Sequence, residues 1–148
     1  GIKKKNYQQT INRIFFENTL TEGKDLFKET YQDYKIMHML IKKFSIDGNS
    51  YPKFIENLSG DNLFLEIQFI SIPNDFSIEI ERVLEKFQIK VLKYLNESYI
   101  LNIFLNEKSD ISNMANKIVN GFNENEVLLI PKNLKKIGFF EKFFQLFS

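Results

Sequence analysis

The stretch NLFLEIQFISIPNDFSIEIERVLEKFQ, residues 62–88, decides the fold because its apolar periodicity changes halfway along. In the first part apolar and polar residues alternate, which predicts a half-buried strand over residues 62–72 that Pro73 ends. In the second part apolar residues recur at helical spacing, which predicts a helix over residues 74–88 capped by Asn74 or Asp75. The predicted strand face consists of Leu63, Leu65, Ile67 and Phe69. The predicted helix stripe consists of Phe76, Ile80, Val83, Leu84 and Phe87.

The segments around this unit extend the same pattern in both directions. Strand-forming residues and the turn signal Asp47-Gly48 predict a strand over residues 35–46, followed by a loop over 49–61. The remaining predicted elements are a strand over 8–17, a helix over 21–34 capped by Thr21, a strand over 89–95 and a further strand over 98–105. Up to residue 95 the order is βαββαβ, which predicts an α+β fold: a split βαβ, two-layer sandwich with an antiparallel sheet and helices on one face.

A C-terminal extension follows the predicted sandwich, in the order helix–strand–helix. A helix is predicted over residues 109–122, with Asn120-Gly121 at its C-cap, and a short strand over 126–130. The predicted helix stripe consists of Ile111, Met114, Ala115, Ile118, Val119 and Phe122. We therefore divide the chain into an α+β interaction domain (1–105), a helix and short-strand extension (106–130), and a Lys-rich link with an amphipathic tail helix (131–148), hereafter the tail.

Composition and charge exclude several classes of protein. Twenty basic residues stand against nineteen acidic ones, so the net charge of +1 gives no electrostatic case for a nucleic-acid partner. The sequence has no cysteine, which excludes disulfides and thiolate metal sites. It has no apolar run of the roughly 18 residues that a membrane span needs. The first residues have no apolar stretch typical of a signal peptide. Gly1 without a preceding Met is interpreted as an added residue or a trimmed start, and in that case the natural protein is expected to extend upstream.

Residues that could carry chemistry are few and scattered. His38, the single histidine, falls in the middle of a predicted strand, where we expect a structural role. The paired acids Glu79/Glu81 and Glu124/Glu126 lie two residues apart and are interpreted as solvated surface, while DGNS (47–50) is interpreted as a turn rather than a calcium loop. The sequence contains no phosphate-binding loop and no GxSxG turn. We therefore predict a protein without catalytic, cofactor-binding or metal-binding residues.

The tail is the most apolar and aromatic part of the sequence. At 100° per residue its phenylalanines and Leu146 occupy about 160° of a helical wheel. A helix of about ten residues is marginal in water, so it is expected to form on binding, with the preceding lysines favouring an anionic membrane. The predicted membrane- or partner-binding residues are Lys135, Lys136, Phe139, Phe140, Phe143, Phe144, Leu146 and Phe147. The alternative is that the tail packs on its own domain or in a dimer interface.

Residues from about 20 to 100 resemble the 1C subdomain of FtsA, the actin-like bacterial cell-division protein. The resemblance rests on the order of four segments: TEGKDLFKETY as the leading helix, YKIMHMLIKKFSIDG as a strand containing His38, IENLSGDNLFLEIQFISIPND with a Gly-containing loop at Leu58, Ser59 and Gly60, and IERVLEKFQIKVLKYLNESYI as helix and strand. The tail is similar to the amphipathic helix with which FtsA ends. The similarity does not extend to the nucleotide-binding core of that family.

The resemblance implies a non-catalytic domain that helps recruit or assemble divisome components, with a tail that docks on the inner face of the cell membrane. The expected partners are division proteins, the inner-membrane surface and possible homo-oligomers, with no cofactor and no nucleic acid. Two alternatives remain open at this point. One is a soluble oligomerisation or interaction domain whose Phe-rich tail is packed in its core or dimer interface. The other is an enzyme or small-ligand binder on the same sandwich, for which the sequence offers no residues.

Overall fold

The structure, a computed structural model, describes residues 1–7 and 10–128. Within these ranges it has six strands and four helices. The strands are β1 (Ile2–Lys5), β2 (Thr10–Ile11), β3 (Tyr34–Ile46), β4 (Asn49–Tyr51), β5 (Leu58–Ser59) and β6 (Asn62–Pro73). The helices are α1 (Arg13–Thr30), α2 (Asn74–Glu85), α3 (Glu97–Ile103) and α4 (Ile111–Val119).

The main sheet is antiparallel and has four strands in the order β1-β6-β3-β4, while β2 pairs with β5 in a separate two-stranded sheet. β3 and β4 form a hairpin in which Ile46 is paired with Asn49. The two residues between them, Asp47 and Gly48, have φ angles of 48° and 86°. Positive φ at both central positions is what a tight type I′ hairpin turn requires. The predicted turn is confirmed, and so is the α+β class with an antiparallel sheet.

The chain divides into two compact units, and β3 and β6 run through both. Unit 1 comprises Gly1–Gln32 and Leu40–Gln68. Its core is apolar, and Phe16 of α1 lies at its centre: the Phe16 ring meets Phe44 edge-on at 5.5 Å and stacks on Phe54 at 4.3 Å. The other fully buried apolar side chains of this unit are Ile11, Leu20, Ile46, Leu63 and Leu65.

Unit 2 comprises Asp33–Met39 and Phe69–Ser148, of which residues up to 128 are described. α3 and α4 pack on each other in this unit, and the ring of Phe104 lies 4.8 Å from that of Phe122. Its buried apolar side chains are Met39, Tyr99, Ile100, Phe104, Met114, Ile118 and Val127. The buried polar side chains of this unit are His38, Ser77 and Glu126.

The long central elements were predicted correctly from periodicity. β3, β6, α2 and α4 cover the predicted segments, with ends that shift by a few residues. α4 is capped by Asp110, whose carboxylate accepts the backbone N–H of Asn113 at 2.9 Å, and it ends at Asn120 with Gly121 at φ 81°. The proposed caps of α2 are wrong, because Pro73 takes the N-cap position without a side-chain hydrogen bond.

The N-terminal prediction was wrong in two ways. Of the strand expected over 8–17, Thr10–Ile11 form β2, but the residues from Arg13 onward begin α1, because the side chain of Asn12 accepts the backbone N–H of Phe15 at 2.9 Å and so caps a helix. Thr21 is not a cap but lies inside α1, where its hydroxyl donates to the carbonyl of Glu17. The N-terminal strand that pairs with β6 is β1, over residues 2–5.

The two strands predicted after α2 are also wrong. Residues 89–95 are not paired as a strand, and 98–105 lie largely in α3. α3 begins here because Asn96 accepts the backbone N–H of Tyr99 at 2.8 Å and caps the helix. The short strands β4 and β5 lie in the segment that was predicted to be a loop.

Candidate functional site

The described chain contains one cluster of buried ionisable side chains, and it lies entirely within unit 2. His38 on β3 is 0 % exposed and Glu126, which follows α4, is 1 % exposed. Nδ1 of His38 lies 2.9 Å from Oε2 of Glu126. Oε1 of the same carboxylate accepts the backbone N–H groups of Met39, at 3.1 Å, and of Leu128, at 3.2 Å. A buried carboxylate is stable only with such partners, so this one is tied to two consecutive residues of β3.

The second hydrogen-bond partner of His38 determines which ring nitrogen carries the proton. The backbone N–H of Asn96 points at Nε2 of His38 over 2.9 Å. Because a backbone amide can only donate, Nε2 must be the acceptor and the neutral ring carries its proton on Nδ1. Nδ1 therefore donates to Glu126. Both ring nitrogens are therefore hydrogen-bonded: Nε2 to the backbone at the start of α3, and Nδ1 to Glu126 in the segment after α4.

Tyr99 and Asn123 complete the cluster. The ring of Tyr99 lies 4.4 Å from that of His38, and its hydroxyl oxygen accepts a hydrogen bond of 2.9 Å from Nδ2 of Asn123. Burial raises the pKa of Tyr99 to about 12; the bond from Asn123 opposes this, while the charge of Glu126 and a hydrogen bond to it raise the pKa further. We call these five residues (His38, Asn96, Tyr99, Asn123 and Glu126) the buried clasp.

The buried clasp has the chemistry of a general base but not the access that catalysis requires. A carboxylate on Nδ1 of a histidine is the arrangement that orients an imidazole for proton transfer through Nε2. Here Nε2 of His38 accepts a backbone N–H, and the ring is fully buried. A substrate would have to displace the bond from Asn96, at the start of α3, to reach it. The arrangement instead fastens three segments that are distant in sequence.

The clasp was only partly visible in the sequence. The structural role predicted for His38 agrees with its position inside unit 2. The interpretation of Glu126 as a solvated acid is wrong, because its carboxylate is buried against β3. The apolar run that follows Glu126 in the sequence was the available signal, since it predicts a short strand around this residue. Glu126 does form an isolated β-bridge. Next to it, the N–H of Val127 donates to the carbonyl of Met39 at 2.9 Å.

A second feature of unit 2 is an apolar surface on α2. Phe76, Val83 and Phe87, the last in the turn that follows the helix, lie within about 40° of one another at 100° per residue. They are exposed, Phe76 at 55 % and Phe87 at 71 %. The residue of this helix that is buried is Ser77, about 100° away. The predicted stripe therefore does not coincide with the buried face, and we call Phe76, Val83 and Phe87 the α2 ridge.

Polar contacts hold α2 against the start of β3, and the α2 ridge remains exposed to solvent. Nζ of Lys35 lies 2.8 Å from Oε1 of Glu81, and the hydroxyl of Tyr94 donates to the same oxygen at 3.0 Å. These bonds, that of Lys35 first, lower the pKa of Glu81. Burial, and then the bond to Glu81, raise the pKa of Tyr94.

An open groove of about 400 Å³ lies at the C-terminal end of α2. It is lined by Glu81, Glu85, Gln88, Ile89, Lys90 and Val91. The carboxylate of Glu81 that reaches it is already held by Lys35 and Tyr94.

The predicted membrane- or partner-binding residues, from Lys135 to Phe147, lie outside the residues that the structure describes. Among the described helices, none combines the length and the apolar character needed to cross a bilayer. Within residues 1–7 and 10–128, no group of three or more His, Asp or Glu side chains is arranged to hold a metal ion. No protein-family model matches this chain, and a search of curated proteins returned no match.

Proposed function

We propose that this chain is a non-catalytic protein–protein interaction domain of an FtsA-like bacterial cell-division protein. It helps to recruit or assemble divisome components, and its tail docks on the inner face of the cell membrane from the cytoplasmic side. The observation that carries the interaction role is the α2 ridge, because several large apolar side chains exposed along one side of a helix are typical of protein or membrane contact sites.

The strand neighbours support the likeness to the 1C subdomain. β1 and β3 are joined through α1, yet β6 lies between them in the sheet. A βαβ unit with a strand inserted between its two strands is the defining feature of the split βαβ arrangement. The segment that follows α2 lacks the last strand of that arrangement in the described chain.

The state of His38 supports a non-catalytic role. Its side chain is the strongest candidate base in the sequence, and its two nitrogens bond to Glu126 and to the backbone of Asn96 inside unit 2. In an interaction domain, a buried histidine of this kind holds segments of the domain together. The partner is then bound by the surface of the domain.

Co-sedimentation with vesicles that contain anionic lipid tests the membrane role. The full chain should sediment with the vesicles, while a chain of residues 1–131 should stay in solution. A matched pair of single-charge variants refines the test: Phe143→Asp on the apolar side of the predicted tail helix should abolish binding, whereas Gln145→Asp on its polar side should retain it. Equal partitioning of the full and shortened chains would contradict the proposal.

The alternative, in which the tail belongs to the core or to a dimer interface, predicts a different result for the same shortened chain. Its thermal unfolding midpoint should then fall by several degrees, because burying several Phe side chains contributes roughly 1.5–3 kcal/mol each. A membrane tail, which in water makes at most a weak contact with its own domain, predicts a much smaller fall in the midpoint. The two measurements together separate the proposals.

Partner binding is tested on the α2 ridge. On vesicles that contain anionic lipid, Val83→Asp should weaken binding to purified division proteins, and Ile78→Asp should not. Both positions are β-branched residues in α2, and Ile78 is 60 % exposed on the other side of the helix. Equal binding by the two variants would show that the α2 ridge is not the partner-binding surface.

A further inference from the structure

The α2 ridge lies on the same unit as the point from which the tail departs. α2 begins where the N–H of Asn74 donates to the carbonyl of Asp33, and the N–H of Val127 donates to the carbonyl of Met39 on the same stretch of chain. Six residues of β3 separate these two anchors, or about 20 Å at roughly 3.3 Å per residue. The start of α2 and the end of the described chain are thus held at fixed points of one strand.

The chain that follows is long enough to return to the ridge. Ten residues, 129–138, separate the described chain from the first Phe of the tail. Extended, they reach roughly 33 Å. That exceeds the separation of the two anchors, so the link is long enough to bring the tail back to the start of α2.

The two surfaces match in chemistry. The ridge presents Phe76, Val83 and Phe87 to solvent along about three turns. The tail sequence places Phe139, Phe143 and Phe147 on one side at helical spacing. A helix of about ten residues gains most of its stability from packing an amphipathic face, and in water this ridge is an apolar surface within its reach.

We propose that, away from a membrane, the tail packs its phenylalanine side on the α2 ridge of its own chain. The inference rests on the proposed function, since it treats the same tail as the membrane anchor. The apolar side of the tail can face the ridge or the lipid but not both. Membrane docking therefore uncovers the ridge, and an uncovered ridge is available to a division partner only at the membrane.

This coupling has a quantitative consequence. If the tail is docked on the ridge in about 90 % of molecules, the vesicle affinity of the full chain is about tenfold lower than that of a freely available tail. Disrupting the ridge should raise vesicle affinity by about that factor. A tail with no contact to the ridge predicts no change.

A single fluorophore makes the test direct because the sequence has no Trp. In full-length Phe143→Trp protein without vesicles, the Trp emission should be blue-shifted, as for a buried indole. Adding Val83→Asp should shift it to the red, and adding the matched Ile78→Asp should leave it unchanged. Vesicles should return it to the blue in every variant, with about tenfold tighter binding for Val83→Asp.

Phe87→Asp serves as a second ridge variant, since its side chain is in a turn beyond α2, and circular dichroism verifies that each variant is folded. A solvent-exposed Trp in the unaltered background, or the same response to Val83→Asp and Ile78→Asp, overturns the inference. A blue shift that depends on protein concentration also overturns it, because the ridge is then covered by a second copy. Failure of vesicle binding in all variants would instead count against the proposed function.

Discussion

The backbone N–H of Asn96 donates to Nε2 of His38 at 2.9 Å, across 58 positions of sequence. Asn96 is also the cap of α3, so the first turn of that helix and the histidine of β3 are oriented by one residue. This bond assigns the single proton of the neutral ring to Nδ1, where it meets Glu126. The bond from Asn96 therefore determines the direction of the hydrogen bond between His38 and Glu126.

Glu126→Gln should destabilise the protein although it preserves shape. An amide has one acceptor and one donor end, whereas the two carboxylate oxygens accept from Nδ1 of His38 and from the N–H of Met39. Either orientation of the introduced amide sets its NH₂ against another donor, and His38 cannot reverse its tautomer because of Asn96. Leaving a buried donor unsatisfied costs about 1–3 kcal/mol, which urea unfolding would detect as a lower midpoint.

The control for this experiment is Glu56→Gln, on an exposed carboxylate in a loop of unit 1. It should leave the free energy of unfolding within about 0.5 kcal/mol of the original. If Glu126→Gln were equally neutral, the carboxylate would not be the acceptor that the clasp requires.

The raised pKa of Tyr99 predicts a loss of stability at alkaline pH. The ordinary value is 10.0 and that of the folded protein is about 12, so between these values the unfolded chain ionises its phenol and the folded one does not. The folded state then binds more protons, and the free energy of unfolding falls as pH rises. Urea unfolding at about pH 9, 11 and 12 would measure the slope, and Tyr99→Phe should reduce it to the part that Tyr94, whose pKa is also raised, contributes. A slope unchanged in Tyr99→Phe would show that other groups are responsible.

Local periodicity was sufficient for the elements that have one strong, uninterrupted pattern. β6 was predicted because its apolar residues alternate over a long run, and α2 because its apolar residues keep helical spacing. The start of α1 was missed because its buried face includes Thr19 and Gly23, which carry little apolar signal. The cap Asn12 and the spacing of Phe16, Thr19, Leu20 and Gly23 were nevertheless legible as a helix.

Features that depend on contacts between distant parts of the chain could not be predicted from the sequence. Residues 89–95 alternate as a strand does, but alternation cannot supply a neighbouring strand to pair with. The burial of Glu126 depends on His38, 88 positions earlier. The α2 ridge depends on which side of the helix is covered, and Ser77, not a large apolar residue, lies on the covered side.

Asp47 should contribute stability that is lost in acid. Its carboxylate accepts bonds from the side chain of Asn62 at 3.0 Å, the N–H of Asp61 at 3.0 Å and the N–H of Asn62 at 2.9 Å. These bonds, that of the Asn62 side chain first, lower its pKa below the ordinary 3.8. Because the folded pKa is the lower one, the stabilisation is present above about pH 4 and disappears as pH falls through the folded value.

Asp47→Asn tests this without disturbing the backbone, since Asn tolerates the φ of 48° found here. The variant should unfold at lower urea concentration than the original protein at about pH 6, and the difference should shrink steadily toward about pH 2. Asp25→Asn, an exposed change on α1, should show no such convergence. A difference between Asp47→Asn and the original protein that is constant with pH would contradict the assignment.

Gly60→Ala should destabilise unit 1 because the turn before β6 is packed directly on the end of β3. A Cβ at position 60 would collide with Cγ2 of Ile46 and come within 2.8 Å of Oδ2 of Asp47. Forcing a methyl group into such a site costs about 1–3 kcal/mol, whereas Ser59→Ala, at the exposed neighbouring position, should stay within about 0.5 kcal/mol. A double-mutant cycle with Ile46→Ala isolates the cause, since removing Cγ2 should make most of the cost of Gly60→Ala disappear. Additive effects of the two substitutions in urea unfolding would show that this contact is not what excludes a side chain at position 60.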